Sequence, residues 1–438
     1  MTAVAERFEI SSRGPLRGRL RVPGDKSISH RAIMLGAIAE GTTRIQGFLS
    51  GADNLATLEA FRAMGVTIDG PDADGEVVVH GAGRAGLKAP AAPLELGNSG
   101  TSMRLLAGLL AAQPFDSELR GDASLGRRPM GRVTEPLATM GAHIETAEGG
   151  RPPLRIHGGT ALSGIDYTLP VASAQVKSAL LLAGLYADGE TCVTEPAPTR
   201  DHTERMLTGF GCPVRRSGER VCLTGGAPLQ ATDIDVPGDI SSAAFFLVGA
   251  SITPGSELLL EHVGINPTRT GVIDILRAMG GDITMENACE VGGEPVADLR
   301  VRHAPLHGIT IPESLVPLAI DEFPAIFIAA AAAEGTTRLS GARELRVKEC
   351  DRIQVMADGL ATLGVRAEPA EDGIVIEGGS LGGGTVASHD DHRIAMAFAM
   401  AGAVASAPIT VTECTNVATS FPGFAELAAS TGLAIETS

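Results

Sequence analysis

A lysine, two hydroxyls, a histidine and an arginine lie close together near the N-terminus, in Pro23-Gly24-Asp25-Lys26-Ser27-Ile28-Ser29-His30-Arg31. The Gly-Asp pair, followed by a serine and an apolar run from Ala32 to Ala39, is typical of a helix start. The first N–H groups of a helix have no partner within it, and the helix dipole is positive there, so this end attracts anions. Lys26 and Arg31 strengthen that attraction. The stretch predicts a phosphate or carboxylate site; taken alone, an ordinary capped helix with a solvated basic turn is the alternative.

Five further polar sequences precede apolar runs in the same way. They are Gly97-Asn98-Ser99-Gly100-Thr101-Ser102-Met103-Arg104, Ala172-Ser173-Ala174-Gln175-Val176-Lys177, Gly238-Asp239-Ile240-Ser241-Ser242, Ile320-Asp321-Glu322-Phe323-Pro324 and Asp390-Asp391-His392-Arg393. Loops between the helices add cations at Arg127, Arg128, Arg200, Arg346, Lys348 and Arg352. If repeated units orient these helices alike, their N-termini converge on one cleft between domains.

The elements that position these residues recur six times along the chain. Each copy reads as an apolar helix, a turn and a strand, then an amphipathic helix that ends at a glycine, then further strands. The apolar helices are predicted at 33–39, 103–112, 178–185, 243–250, 325–333 and 394–405, and the glycines are Gly65, Gly141, Gly211, Gly280, Gly364 and Gly432. Six copies predict two domains of three repeats, at 20–235 and at 1–19 with 236–438. The strand at 8–10 is assigned to the second domain because the last copy otherwise lacks a partner.

Composition limits the classes of function. The 438 residues suit two or three domains, and no apolar run approaches the roughly 20 residues of a membrane span. The N-terminus has no signal-peptide pattern, so a cytoplasmic protein is expected. A net charge of −17, no Trp and two Tyr argue against a nucleic-acid or anionic-membrane partner. The six cysteines have no CxxC spacing and are expected to be reduced, mostly structural thiols.

Two other patterns are weak. The sequence Gly81-Ala82-Gly83-Arg84-Ala85-Gly86 fits GxGxxG, but a proline rather than a helix follows, so no dinucleotide site is expected. The run from His389 to His392 contains potential metal ligands, yet consecutive residues at a helix start cannot all face one ion. Capping of the helix is the preferred interpretation there.

Seven motifs together resemble the 5-enolpyruvylshikimate-3-phosphate synthase family, the 3-phosphoshikimate 1-carboxyvinyltransferases. They are PGDKSISHR (23–31), LGNSGTSMR (96–104), GDASLGRRPM (121–130), LPVASAQVKSALLLAG (169–184), DEFP (321–324), RVKECDRI (346–353) and DHRIAMAF (391–398). The resemblance runs through the whole chain in order. It implies an α/β fold, a two-domain inside-out α/β barrel with three βαβαββ repeats in each domain. It also implies transfer of the enolpyruvyl group of phosphoenolpyruvate to the 5-hydroxyl of 3-phosphoshikimate, by a monomer without metal or organic cofactor.

The resemblance implies roles for particular residues. Those expected to bind 3-phosphoshikimate are Lys26, Ser27, Arg31, Ser173, Ala174, Gln175, Arg200, Asp321 and Lys348. Those expected to surround phosphoenolpyruvate are Lys26, Gly100, Arg128, Gln175, Arg352 and Arg393. Asp321 is expected to take the proton of the 5-hydroxyl, Glu349 to protonate the methylene carbon, and Lys26 to assist. Which carboxyl performs which step stays open.

Two departures and two alternatives accompany this interpretation. Ala418 stands where many members of the family have a lysine. Leu105 stands where many members have proline, and this difference could shift the start of the second apolar helix. The sister family, the UDP-N-acetylglucosamine enolpyruvyl transferases, typically has a cysteine in the loop at 121–126, where this chain has Ala123. A non-catalytic anion-binding module is disfavoured because Asp321 and Glu349 would only weaken the binding of polyanions.

Overall fold

The computed structural model describes residues 6–72 and 75–438. They form two compact units. The N-terminal unit comprises Gly24–Val236 and Val291–Glu294. The C-terminal unit comprises the residues up to Pro23, Pro237–Glu290 and Pro295–Ser438.

Helices of two kinds alternate along the described chain. Six are apolar and almost fully buried: α1 (Lys26–Ile38), α3 (Gly100–Leu110), α5 (Ala174–Gly184), α7 (Ile240–Ile252), α9 (Phe323–Ala332) and α11 (His392–Ala401). Six are amphipathic: α2 (Ala52–Ala63), α4 (Gly131–Thr139), α6 (His202–Gly209), α8 (Gly271–Ala278), α10 (Arg352–Thr362) and α12 (Phe424–Ser430). Short 3₁₀ turns cover Leu125–Arg127, Glu313–Leu315, Arg343–Val347 and Thr415–Thr419. The predicted alternation is confirmed, although α11 ends at Ala401, four residues before the predicted end at residue 405.

The helix ends follow local chemistry. Asp25 caps α1 by accepting a hydrogen bond from the Ile28 N–H at 2.9 Å, and Asp391 caps α11 in the same way through the Arg393 N–H. Capping is therefore confirmed for the sequence that also suggested a metal. The six glycines that follow the amphipathic helices all have positive φ, from 81° to 105°. Only glycine adopts this left-handed conformation without steric cost, which explains why glycine ends each helix.

The N-terminal unit has three sheets in its described residues. The first sheet has the strand order β14 (Leu229–Gln230), β3 (Ala39–Gln46), β5 (Val77–Ala82), β4 (Thr67–Asp69), with β15 (Ile234–Asp235) also paired with β3. The second has the order β6 (Leu94–Glu95), β7 (Ser117–Arg120), β9 (Arg151–His157), β8 (His143–Ala147). The third has the order β10 (Asp166–Thr168), β11 (Glu190–Thr194), β13 (Arg220–Thr224), β12 (Val214–Ser217). The second and third sheets, with α3 to α6, form two complete βαβαββ units. In the first sheet, β14 and β15 come from the end of the unit and run parallel to β3.

The C-terminal unit also has three sheets in its described residues. The first sheet has the strand order β17 (Asp282–Val291), β18 (Glu294–Arg302), β16 (Glu257–Gly264), β2 (Arg17–Leu20). The second has the order β19 (Thr336–Leu339), β21 (Gly373–Glu377), β20 (Arg366–Ala370). The third has the order β22 (Gly384–Ala387), β23 (Ile409–Thr412), β1 (Arg7–Ser11), β24 (Ala434–Thr437). Strand β1 pairs antiparallel with both β23 and β24. The expected pairing of the N-terminal strand with the last repeat is confirmed.

Each unit has its own hydrophobic core, in which the apolar helices are enclosed by sheets and amphipathic helices. Close helix contact sets the residue type at Gly108 of α3, where a Cβ atom would lie 2.1 Å from the Ala179 carbonyl oxygen of α5. Glycine is thus required for these two helices to approach. No described helix has the length and hydropathy required to span a bilayer.

One expectation about the cysteines is wrong. Cys192 on β11 and Cys222 on β13 are joined by a disulfide, whereas all six cysteines were expected to be reduced. The two residues are directly opposite each other in the antiparallel register, which brings their Cα atoms to 4.1 Å. Their separation of 30 residues along the chain conceals that pairing. Cys212, Cys289, Cys350 and Cys414 are free, as expected.

Candidate active site

The first turns of α1 and α3 are joined by a buried polar network in the N-terminal unit. His30 Nδ1 lies 2.8 Å from Thr57 Oγ1 and 3.4 Å from Ser102 Oγ, and the two hydroxyls are 2.6 Å apart. Burial, together with the charges of Lys26 and Arg31, lowers the pKa of His30 well below its usual value. His30 is therefore a neutral hydrogen-bonding group that aligns two helix starts.

Lys26 begins α1, and its Nζ lies 2.6 Å from Asp53 Oδ2 on α2. Asn54 donates to the Lys26 carbonyl oxygen at 3.0 Å. The lysine side chain keeps 23% of its surface exposed. Asp53 and Asn54 thus restrain the backbone and head group of Lys26, while part of the side chain remains exposed to solvent.

Arg31 is almost completely buried at the second turn of α1, and its guanidinium is held from three sides. It donates to Thr203 Oγ1 at 2.6 Å, to Ser178 Oγ at 2.9 Å and to the Ser27 carbonyl oxygen at 2.9 Å. Burial lowers the pKa of Arg31 to about 10, opposed mainly by Glu204 and Asp25 and reinforced by the charge of Arg200. Arg31 stays protonated at neutral pH. An anion near Arg31 and Arg200 would relieve the mutual repulsion of the two cations.

A second set of cations surrounds the first turn of α3. Arg104 donates to Gln175 Oε1 at 2.9 Å, and the Gln175 amide donates to Thr101 Oγ1 at 2.9 Å, which joins the starts of α3 and α5. A Cβ atom on Gly100 would lie 2.7 Å from Arg104 Nη1 and 3.4 Å from Arg128 Nη1. A methyl group on Gly100 would therefore lie between two guanidinium groups, and it has no room unless the Arg104 side chain shifts.

The remaining residues implied for the N-terminal unit lie at these same helix starts or in the loop before α6. Ser27 is in the first turn of α1, and Ser173 caps α5 by accepting from the Val176 N–H at 3.4 Å. Ala174 begins α5, and Arg200 precedes the cap of α6. All four are partly exposed. Hydrogen bonds thus connect the starts of α1, α3 and α5 into one basic, hydroxyl-rich cluster.

Arg352 is the centre of a second cluster, in the C-terminal unit. Its side chain is 1% exposed, its Nε donates to Asp391 Oδ2 at 2.7 Å, and its Nη2 donates to Glu349 Oε2 at 2.7 Å. Nη1 lies 3.5 Å from Asp321 Oδ1 and has no hydrogen-bond partner among the described residues. Burial alone would lower the pKa of Arg352, but Asp391, Glu349 and Asp321 together raise it. The guanidinium is permanently charged, and its buried Nη1 group donates no hydrogen bond to the described residues.

Two further cations lie beside Asp321. Lys348 Nζ is 3.3 Å from Asp321 Oδ1, and Arg393 Nη1 donates to the Asp321 carbonyl oxygen at 3.1 Å. Arg393 is also 3.8 Å from Glu322 Oε1. The carboxylates of Asp321 and Glu349 are thus held by the same arginine, in a group that contains three cations.

Buried partners support the helix starts around this cluster. Ser241, in the first turn of α7, donates to Glu322, the residue that precedes α9. Arg269 bonds Ser241 Oγ at 2.7 Å and Asp239 Oδ1 at 3.1 Å. This network connects α7 to α9 as the His30 network connects α1 to α3. The polar residues at the fourth helix start are therefore structural.

Arg104, Asp391 and Asp53 are among the residues of these clusters that were not identified as site residues from the sequence. Arg104 lies one helical turn after Gly100, a spacing that could have predicted its contact with the same site. Asp391 was recognised as a cap but also binds Arg352, and Asp53 pairs with Lys26. Leu105 is fully buried in α3, which begins at Gly100 with Ser99 as its cap.

The two clusters can perform complementary chemistry. Helix N-termini with Lys26, Arg31, Arg104 and Arg128 provide donors and positive charge for phosphate or carboxylate groups. The cluster around Arg352 combines cations with two partly exposed carboxylates, which can exchange protons with a bound molecule.

The family model described as "EPSP synthase (3-phosphoshikimate 1-carboxyvinyltransferase)" matches residues 10–427. The chain is 70% identical to the 3-phosphoshikimate 1-carboxyvinyltransferase of Alkalilimnicola ehrlichii, over 98% of this chain and 96% of the relative. It is similar to the structure of EPSP synthase from Acinetobacter baumannii, with 60% identity, a TM-score of 0.91 and 99% of each chain covered. An enolpyruvyl transferase, NikO from Streptomyces tendae, shares the fold with a TM-score of 0.80 at 17% identity, over 99% of each chain.

Proposed function

The chain belongs to the EPSP synthase (3-phosphoshikimate 1-carboxyvinyltransferase) family. We propose that the cluster at the starts of α1, α3 and α5 and the cluster around Arg352 have different roles in its reaction. The enzyme transfers the enolpyruvyl group of phosphoenolpyruvate to the 5-hydroxyl of 3-phosphoshikimate and releases phosphate, in the shikimate pathway. The 5-oxygen adds to C2 of phosphoenolpyruvate while C3 gains a proton. The adduct then loses phosphate from C2 and a proton from C3, which restores the double bond.

The charge of the two substrates explains the number of cations. Two phosphates and two carboxylates bring roughly −5 to −6 charges together. We assign 3-phosphoshikimate to the residues implied by the family resemblance: Lys26, Ser27, Arg31, Ser173, Ala174, Gln175, Arg200, Asp321 and Lys348. We assign phosphoenolpyruvate to Lys26, Gly100, Arg128, Gln175, Arg352 and Arg393. Fixed cations and helix dipoles replace the water that these anions lose on binding.

The observation that carries the catalytic part of the proposal is the arrangement around Arg352. One buried guanidinium binds Glu349 at 2.7 Å and lies 3.5 Å from Asp321, with its Nη1 donor unused among the described residues. In the proposal, Asp321 takes the proton of the 5-hydroxyl beside Lys348, Glu349 delivers a proton to C3, and Lys26 and Arg352 stabilise the phosphate that leaves. A binding protein for polyanions would gain nothing from two carboxylates held there.

Phosphate release tests this proposal. The wild-type enzyme should release phosphate from phosphoenolpyruvate when 3-phosphoshikimate is present, and not when UDP-N-acetylglucosamine replaces it. Asp321→Asn and Glu349→Gln should each lower kcat by about 10²- to 10⁴-fold, with smaller changes in KM.

Glu344→Gln is the matched control, because Glu344 lies 3.8 Å from the same Lys348 and has no assigned role. It should leave kcat within about twofold of the wild-type value. Normal turnover in Asp321→Asn or Glu349→Gln would remove that residue from the mechanism.

We also propose that the N-terminal and C-terminal units are the two domains of a cytoplasmic monomer whose partners are the two small substrates. The composition supports the choice of partners, since a net charge of −17 disfavours nucleic acid and anionic membranes. Sedimentation equilibrium should give the mass of one chain; a concentration-independent dimer would contradict the monomer.

A further inference from the structure

The β8–β9 hairpin of the N-terminal unit carries two histidines and a glutamate on one face. His143 on β8 is directly opposite His157 on β9, and Glu145 is two residues further along β8, where side chains return to the same face. The two imidazole rings are stacked with centroids 4.4 Å apart, and His157 Nε2 lies 3.1 Å from Glu145 Oε1. One potential ligand atom from each of the three residues lies within 4.8 Å of the other two.

We propose that His143, Glu145 and His157 bind one divalent transition-metal ion of the Zn²⁺ or Ni²⁺ class. Two imidazole nitrogens and a carboxylate oxygen are ligands that such ions prefer, and water completes the coordination. Tetrahedral Zn²⁺ requires donor atoms about 3.3 Å apart. Since Glu145 and His157 keep 52% and 37% of their side-chain surface exposed, rotation of the side chains can close the remaining gap without moving the strands.

The surrounding charges favour a cation. Asp116 Oδ2 lies 3.9 Å from His157 Nδ1, while its other oxygen accepts from the Gly158 N–H at 2.9 Å. A carboxylate in that position can orient the imidazole that binds a metal. Arg155 is directly opposite Glu145 in the register, but its guanidinium is engaged by Glu118 at 3.2 Å. The cation opposite Glu145 is therefore paired with another acid.

The metal site lies at the other end of α3 from the candidate active site. Two residues after His157, the Gly159 N–H donates to the Gln113 carbonyl oxygen at 2.9 Å. Gln113 follows the C-terminal end of α3, so this bond places the hairpin near that end of the helix. Gly100 begins the same helix, which is 11 residues and thus about 16 Å long. Metal binding is therefore separate from the enolpyruvyl transfer, and phosphate release provides an independent check that each variant is folded.

Isothermal titration of the full-length enzyme with ZnCl₂, in a buffer that does not bind metals, tests the proposal. Wild type should bind one equivalent saturably. His143→Ala and His157→Ala should each weaken the binding at least about tenfold, and the double variant should abolish that equivalent. Zn²⁺ should also raise Tm for the wild type, because an ion that binds the folded state stabilises it, but not for the double variant.

His80→Ala is the matched control. His80 Nε2 lies 3.0 Å from Asp69 Oδ2, and the two residues are on the antiparallel strands β5 and β4 of the same unit. This pair offers one imidazole and one carboxylate but no second histidine. His80→Ala and Cys289→Ser, which removes an exposed thiol, should leave Zn²⁺ affinity unchanged. Absence of saturable binding to wild type, or retention of the same equivalent by the double variant, would overturn the proposal.

Discussion

Replacing Gly100, a residue of the proposed phosphoenolpyruvate site, by alanine adds a methyl group between the guanidiniums of Arg104 and Arg128. The new carbon would lie 2.7 Å from Arg104 Nη1, which is closer than carbon and nitrogen tolerate, and 3.4 Å from Arg128 Nη1. Arg104 is a flexible side chain and can withdraw, at the cost of its 2.9 Å hydrogen bond to Gln175. A hydrogen bond that involves a charged group contributes about 1.5–3 kcal/mol, so the variant should lose some stability but still fold and keep most of its turnover.

The methyl group should distinguish phosphoenolpyruvate from the longer inhibitor glyphosate, which competes for the same site in this family. A misfit of one methyl in a tight pocket costs about 1–3 kcal/mol. Gly100→Ala should therefore raise the inhibition constant for glyphosate about 10- to 100-fold, while KM for phosphoenolpyruvate rises by much less.

Steady-state phosphate release at varied phosphoenolpyruvate and glyphosate measures both constants. Gly126→Ala is the matched control, because Gly126 is in the neighbouring 3₁₀ turn and an added Cβ would meet nothing within 4 Å. It should change neither constant. Resistance of the wild type to millimolar glyphosate, or an unchanged inhibition constant in Gly100→Ala, would refute this account of Gly100.

Two further predictions concern the buried groups of the N-terminal unit. Thr203→Val removes the hydroxyl that accepts a hydrogen bond from Arg31 Nε at 2.6 Å. This variant should raise KM for 3-phosphoshikimate about tenfold with little change in kcat, as measured by phosphate release. An unchanged KM would exclude a role of Thr203 in positioning Arg31. Burial and the charges of Lys26 and Arg31 lower the pKa of His30. As the pH falls below about 6.5, the unfolded state therefore binds a proton that the folded state does not bind. The contribution of neutral His30 to the free energy of unfolding is present above about pH 6.5 and is lost as the pH falls below that value. Urea unfolding of His30→Asn, which keeps a polar atom near the Nδ1 position, should show a pH slope reduced by up to about 1.4 kcal/mol per pH unit in that range; an unaltered slope would show that His30 does not contribute.

The sequence by itself determined the features that depend on neighbouring residues. Helix starts such as Asp25-Lys26 and helix stops such as Gly65 could be recognised because capping and left-handed turns involve only a few consecutive residues. The sixfold repeat followed from those local patterns. The motifs at these helix starts were distinctive enough to identify the family, and with it the reaction.

Only the tertiary structure decided which side chains hold one another. Arg31 is bound by Thr203, which is 172 residues away in sequence, and Arg352 by Asp391, which is 39 residues away. The disulfide between Cys192 and Cys222 depends on strand register in the same way. A shift of one residue turns a side chain to the other face of a sheet, and the sequence of one strand does not contain the register of its partner. Contacts of this kind arise when separate elements pack together, so local pattern could not reveal them.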